Sequence, residues 1–131
     1  MKTELEAEFY LSGKNSFTRI ARPEWSDVNE LLFKLKGKLG SMRLVVLPEP
    51  SVGPVNIDVS TGNGFYLITL LEYLENDSDV RSYWDMSKVD NKITVLGEIW
   101  PERQLIKDFD LVVRVFKEFF DTGNVSTDLL N

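Results

Sequence analysis

VNIDVSTGNGFYLITLL, residues 55–71, has the pattern of two strands joined by a tight turn. Val55, Ile57 and Val59 alternate with Asn56, Asp58 and Ser60, the period-2 pattern of a strand with one buried face. Thr61-Gly62-Asn63-Gly64 follows, and an Asn-Gly pair between apolar runs is a strong hairpin signal. Residues 65–71 then return as a strand with apolar side chains on both faces. Working outward, Pro48, Pro50, Gly53 and Pro54 enforce a loop before the hairpin. Residues 41–47 precede that loop and carry Met42, Leu44, Val45, Val46 and Leu47. Such a run suits a central strand covered by a helix.

Toward the N-terminus, residues 4–11 alternate strictly. Leu5, Ala7, Phe9 and Leu11 face one way, while Glu4, Glu6, Glu8 and Tyr10 face the other. This predicts a half-buried strand with an acidic solvent face. Gly13 to Ser16 is expected to turn the chain. Residues 23–38 form the first expected helix, with Pro23 early and a buried stripe of Trp25, Val28, Leu31, Leu32, Leu35 and Leu39. Gly37 or Gly40 ends it. Its acids lie early and its lysines late, which complements the helix dipole.

Beyond the hairpin, Asn76 to Asp79 marks a turn, and residues 80–85 are expected as a short strand holding Tyr83 and Trp84. Residues 93–100 alternate and read as one further strand, ended by Pro101. Residues 108–131, DFDLVVRVFKEFFDTGNVSTDLLN, read as a helix followed by a polar tail. Val112, Val113, Phe116, Phe119 and Phe120 recur on one face, Asp108 caps the start and Gly123 fits the left-handed position after the end. The element order is strand, helix, four or five mostly antiparallel strands, helix. Each helix has a single apolar stripe. The economical arrangement is an α+β domain spanning the chain, an antiparallel sheet of about five or six strands with both helices packed on it.

Composition narrows the function. The 131 residues are 43% hydrophobic and 27% charged, ordinary for one globular domain. Cysteine and histidine are both absent. That excludes disulfides and thiolate metal sites, and removes the commonest general base and the commonest transition-metal ligand. A non-enzyme without metal or cofactor is expected. No apolar run approaches the ~18–20 residues of a membrane helix, and residues 1–13 carry no apolar signal core. A cytoplasmic protein is expected. The net charge of −6 disfavours nucleic acid and anionic membranes and favours basic partners.

The charge is uneven. Residues 71–90 hold six acids and two bases, a local charge of −4. Among them, Glu72, Tyr73, Glu75, Asp77, Asp79, Tyr83 and Asp85 are the candidate partner-binding residues. Carboxylates steer a basic partner and aromatics supply buried contact area. The plainer reading is a solvated loop whose aromatics fold inward, and Trp84 is expected in the core. Asn76, Asp77 and Asp79 lack the spacing and glycine of a calcium loop. Glu98 and Glu102 put two acids near a strand end, a setting that can serve glycoside hydrolysis, but nothing in the sequence positions a substrate beside them. Lys34, Lys36, Lys38 and Arg43 are explained by the helix terminus.

Several pieces together resemble small immunity proteins of bacterial contact-dependent inhibition and polymorphic toxin systems. They are Trp25, Asp27, Leu31, Leu32, Lys34 and Leu35; Tyr83 and Trp84; Gly97-Glu98-Ile99-Trp100-Pro101; and residues 116–120 with Thr122 and Gly123. The resemblance implies stoichiometric binding of a cognate toxin C-terminal domain, often a nuclease, by covering its active site or substrate surface. It carries over no catalytic residues. The alternatives are an acidic adaptor module without a toxin partner, or a small hydrolase using Glu98 and Glu102.

Overall fold

The computed structural model describes residues 2–11 and 14–131. The hairpin at its centre is formed by β4 (Gly53–Gly62) and β5 (Phe65–Tyr73), joined at Asn63-Gly64 with φ of +54° and +78°. Both central residues sit in the left-handed region, the requirement of a type I′ turn that Asn-Gly meets most cheaply. Four further strands extend the sheet: β1 (Lys2–Leu11), β2 (Lys14–Ala21), β3 (Gly40–Leu47) and β6 (Ser78–Ser82). The order is β2-β1-β3-β4-β5-β6, and every neighbouring pair is antiparallel. β2 and β3 flank β1 and so run parallel to each other. Helix α1 (Trp25–Leu35) carries the chain across β1 between them.

Strand β2 corrects the expected order, because two strands precede the first helix. The turn expected over Gly13 to Ser16 lies outside the described residues at Gly13, and Lys14 to Ser16 are already in β2. The strand gives little periodic signal because it is an edge strand. Its residues are exposed apart from the half-buried Thr18 and Ile20. Helix α1 ends three residues early, and Gly37 (φ +71°) turns the chain away. Leu39 therefore falls outside the helix and is exposed.

One sheet face carries both helices. Leu5, Ala7 and Phe9 of β1 join Met42, Leu44, Ile57, Val59, Ile68 and Leu70 beneath Val28, Leu31, Leu32 and Leu35 of α1. Helix α2 (Phe109–Thr122) completes this core with Phe109, Val112, Val115, Phe116 and Phe119. Phe116 and Phe119 are fully buried, worth about 1.5–3 kcal/mol each. Val113 and Phe120 pack only partly against the core. Asp108 caps the helix by accepting from the Asp110 main-chain N–H, and Gly123 (φ +79°) ends it.

The expected strand over residues 93–100 is instead a second hairpin, β7 (Lys92–Val95) and β8 (Glu98–Pro101). Leu96-Gly97 makes its turn with φ of +48° and +79°. A leucine disguises this type I′ turn, since bulky residues rarely adopt positive φ. Ile93, Val95 and Trp100 pack with Phe65, Leu67 and Leu105 in a small separate core. A 3-10 turn (Glu102–Gln104) follows. Ile106 then exchanges two 2.8 Å backbone hydrogen bonds with Tyr66 along the edge of β5.

Candidate functional site

The acidic stretch begins at the end of β5 and runs through β6 into a loop over residues 83–91. Between the strands the chain turns at residues 74–77, where the Leu74 N–H donates to Asp77 O at 2.8 Å. This lies slightly before the turn expected over Asn76 to Asp79, and β6 likewise runs over Ser78–Ser82 instead of residues 80–85. Asp77 accepts from the Ser78 N–H through its side chain, a local arrangement that stabilises such turns. Glu75, Asp77 and Asp79 are all exposed along this turn and edge strand.

The other candidates are committed elsewhere. Glu72 lies 3.6 Å from the Arg81 guanidinium. Tyr73 donates its hydroxyl to Glu49, and that bond raises its pKa above the ordinary value. Tyr83 packs partly against the main core, with the Lys88 ammonium 5.4 Å from its ring centre; burial, then Asp85, raise its pKa. Asp85 accepts from the Ser87 hydroxyl at 2.6 Å and from the Ser87 N–H at 3.0 Å. These bonds hold its carboxyl below the ordinary carboxylate value. Its main-chain N–H donates to Arg103 O at 2.7 Å, tying the loop to the 3-10 turn.

Apolar side chains complete the surface. Trp84 is 45% exposed, against the expectation that it belongs to the core. Leu74, Val80, Met86 and Val89 are also exposed, the last two at 67% and 72%. Scattered surface hydrophobics are common; five large ones within residues 74–89, interspersed with acids, are the composition of a binding patch. The outer edge of β6 is free of a further strand among the described residues. Asn131 reaches it at one point, where it exchanges backbone hydrogen bonds with Ser82.

Behind β6 sits Arg81, only 6% exposed. It pairs across the sheet with Leu70, so its side chain lies on the helix face under the C-terminal tail. Its guanidinium donates to Asn124 Oδ1, Val125 O and Leu130 O. The tail that follows α2 is thereby strapped to the edge strand.

The hydrolytic pair is not assembled. Glu98 lines a recess of about 230 Å³ with Tyr10, Ser41, Ser60 and Trp100, whereas Glu102 does not reach it. The Glu102 carboxylate accepts from Asn91 instead. Among the described residues, no three of the acids come together to hold a metal ion.

The sequence pattern of a family of unknown function, DUF6911, matches residues 5–129. The chain belongs to DUF6911. That match runs from Leu5 in β1 into the C-terminal tail, so both helices and all of the sheet but the first residues of β1 lie in the family's shared region. A hypothetical protein from Neisseria gonorrhoeae, known from its crystal structure, is similar to this DUF6911 chain with a TM-score of 0.83. The likeness covers 96% of this chain and 91% of that one at 18% identity, and establishes the fold alone. No curated protein matches the chain. Within this DUF6911 fold, the exposed Leu74, Val80, Met86 and Val89 were not singled out from the sequence. A valine in an edge strand reads the same whether it points inward or outward. Only the register against β5, which pairs Val80 with Leu71, places it away from the helices.

Proposed function

We propose that this chain is a protein-binding inhibitor, an immunity protein that engages a basic cognate toxin domain and occludes its active site or substrate surface. One observation carries the reading: large apolar side chains stand exposed among uncompensated acids from the turn before β6 through the loop after it. Carboxylates accelerate encounter with a basic surface, and desolvated apolar side chains supply the affinity. Glu75, Asp77 and Asp79 provide the steering charge in this reading. Leu74, Val80 and Trp84 provide the contact area. The resemblance of the first and last helices to immunity proteins supports the same partner class. Action in the cytoplasm, where such a toxin would arrive, is part of the proposal; among the described residues no helix is long and apolar enough to cross a membrane.

Co-purification with the product of the gene directly upstream, followed by a toxicity assay of that product with and without this chain, tests the proposal. A tight complex with specific protection is expected. A well-folded chain that neither binds nor protects refutes it. A complex with a non-toxic partner would instead select the adaptor reading.

A further inference from the structure

The helices cover one face of the sheet. Over the other face lie the β7–β8 hairpin and the 3-10 turn that follows it, which seal one end around Phe65, Leu67 and Ser82. The strand register defines what remains. One rung runs Arg19, Glu6, Arg43, Asp58. Its cations are engaged: Arg43 holds Asp58 through two bonds of 2.8 and 2.9 Å, and Arg19 lies 4.0 Å from Glu6 while holding Glu4 of a neighbouring rung at 2.6 Å. The next rung toward the hairpin runs Phe17, Glu8, Ser41, Ser60, Leu67. It brings a carboxylate without a cation.

Two recesses open along this rung. One, of about 260 Å³, lies among Glu6, Glu8, Phe17 and the Arg43–Asp58 pair. The other, of about 230 Å³, lies among Tyr10, Leu96, Glu98 and Trp100. Both have Ser41 and Ser60 in their lining, so they form one groove under the lip of the hairpin. Glu8 and Glu98 stand at its two parts without an ion-pair partner among the described residues, while the nearby guanidiniums are already engaged. Phe17 is 63% exposed, and Tyr10 and Trp100 are half-buried at the rim. Carboxylates beside accessible aromatic faces are the setting in which a guanidinium is held by charge and by its flat stacking surface.

We infer that this groove on the uncovered sheet face receives an arginine-bearing segment of a basic protein partner, with guanidinium groups set between Glu8, Glu98 and the aromatic rings of Phe17, Tyr10 and Trp100. The inference rests on the protein-binding reading above and names where the partner's basic residues go. The face continues to Val80 of β6, which stands on the rung of Glu4, Val45, Asn56 and Leu71, so the groove and the apolar patch can meet one partner.

The test is a titration of the isotope-labelled chain with an arginine–glycine repeat peptide, followed by amide chemical shifts. Saturable shifts at Glu8, Phe17, Ser41, Ser60 and Glu98 are expected, with affinity falling about tenfold in the Glu8→Gln/Glu98→Gln variant and again on raising salt to about 0.3 M. Ser60→Lys, which sets a cation on the groove floor, should produce the same loss with an unchanged melting curve. Shifts confined to Glu75 to Asp79, no saturable binding, or full affinity in both folded variants would overturn the inference. Failure of the toxin reading looks different: the peptide binds the groove but the upstream gene product does not bind the chain. If the upstream product binds wild type and the double variant equally, the groove is wrong and the toxin reading survives.

Discussion

Leu96 occupies a backbone conformation that L-residues with large side chains avoid, at φ +48°. The type I′ turn demands it, and Gly97 supplies only the second of the two positive angles. Leu96→Asn relieves the crowding between Cβ and the carbonyl, and should raise stability by about 0.5–1 kcal/mol in a urea melt. A loss instead would show that the apolar contacts of Leu96 at the groove rim outweigh the strain. Asp85 offers a second test at this scale. Its carboxylate is held by the Ser87 hydroxyl and N–H, which lower its pKa below the ordinary 3.8. A carboxyl with a lowered folded pKa contributes fully above its unfolded value, and that contribution disappears as the pH falls through the folded one. Wild type should therefore be more stable than Asp85→Asn near neutrality, and the gap should close as the pH falls below 3.8. Identical acid profiles would remove Asp85 from the account.

At the scale of elements, the C-terminal tail and β6 depend on each other through Arg81. Its guanidinium satisfies two main-chain carbonyls, Val125 O and Leu130 O, and its Nε is buried without a partner. Removing the side chain orphans those carbonyls in a site closed by Val125 and Leu130. Arg81→Ala should cost about 3 kcal/mol by denaturant titration, and Arg81→Lys should recover little of it, because an ammonium cannot span the same carbonyls. Full recovery by lysine would reduce Arg81 to a simple charge. A second dependence lies between α1 and the β1–β3 pair at Gly40. A Cβ there would lie 2.6 Å from Glu8 O and 2.6 Å from the Leu35 side chain. The carbonyl is backbone and cannot rotate away, so Gly40→Ala should cost about 2 kcal/mol, and a neutral result would mean that β3 can shift against β1.

Over the whole molecule, a run of exposed apolar and acidic side chains over residues 74–89 lies at the β6 end of the sheet. The open sheet face, the free edge of β6 and the loop over residues 83–91 adjoin one another, while α1 and α2 lie on the opposite face. Under the proposed function, the chain would meet its partner with this sheet face and edge. Reversing charge at three positions together, Glu75→Lys, Asp77→Lys and Asp79→Lys, should slow association with the upstream gene product by about tenfold at low salt. The gap should narrow as salt rises, since exposed charges beyond about 8–10 Å are screened. Unchanged association kinetics in a folded triple variant would take the β6 edge out of the steering surface and leave the groove as the electrostatic contact.

The sequence by itself determined the features whose causes are local. Alternation in β1 and β4, the Asn63-Gly64 turn, the Asp108 cap and the Gly123 stop all arise from a few neighbouring residues, and each is found where the pattern puts it. These suffice for an α+β fold with an antiparallel sheet and two helices. Other features had no local cause to read. β2 is a strand because β1 pairs with it, although most of its residues stay in water and leave no buried period. Leu96 turns because the hairpin closes on Phe65 and Leu67. For the candidate surface, the acids were legible as a run of charge, and Trp84 was misplaced into the core because an aromatic in sequence carries no direction. Tertiary structure alone paired Glu72 with Arg81, set Tyr83 partly against the core, turned Val80 outward, and set Glu8 and Glu98, 90 residues apart in number, along one groove. Burial and cross-strand register are long-range properties, and no window of neighbouring residues contains them.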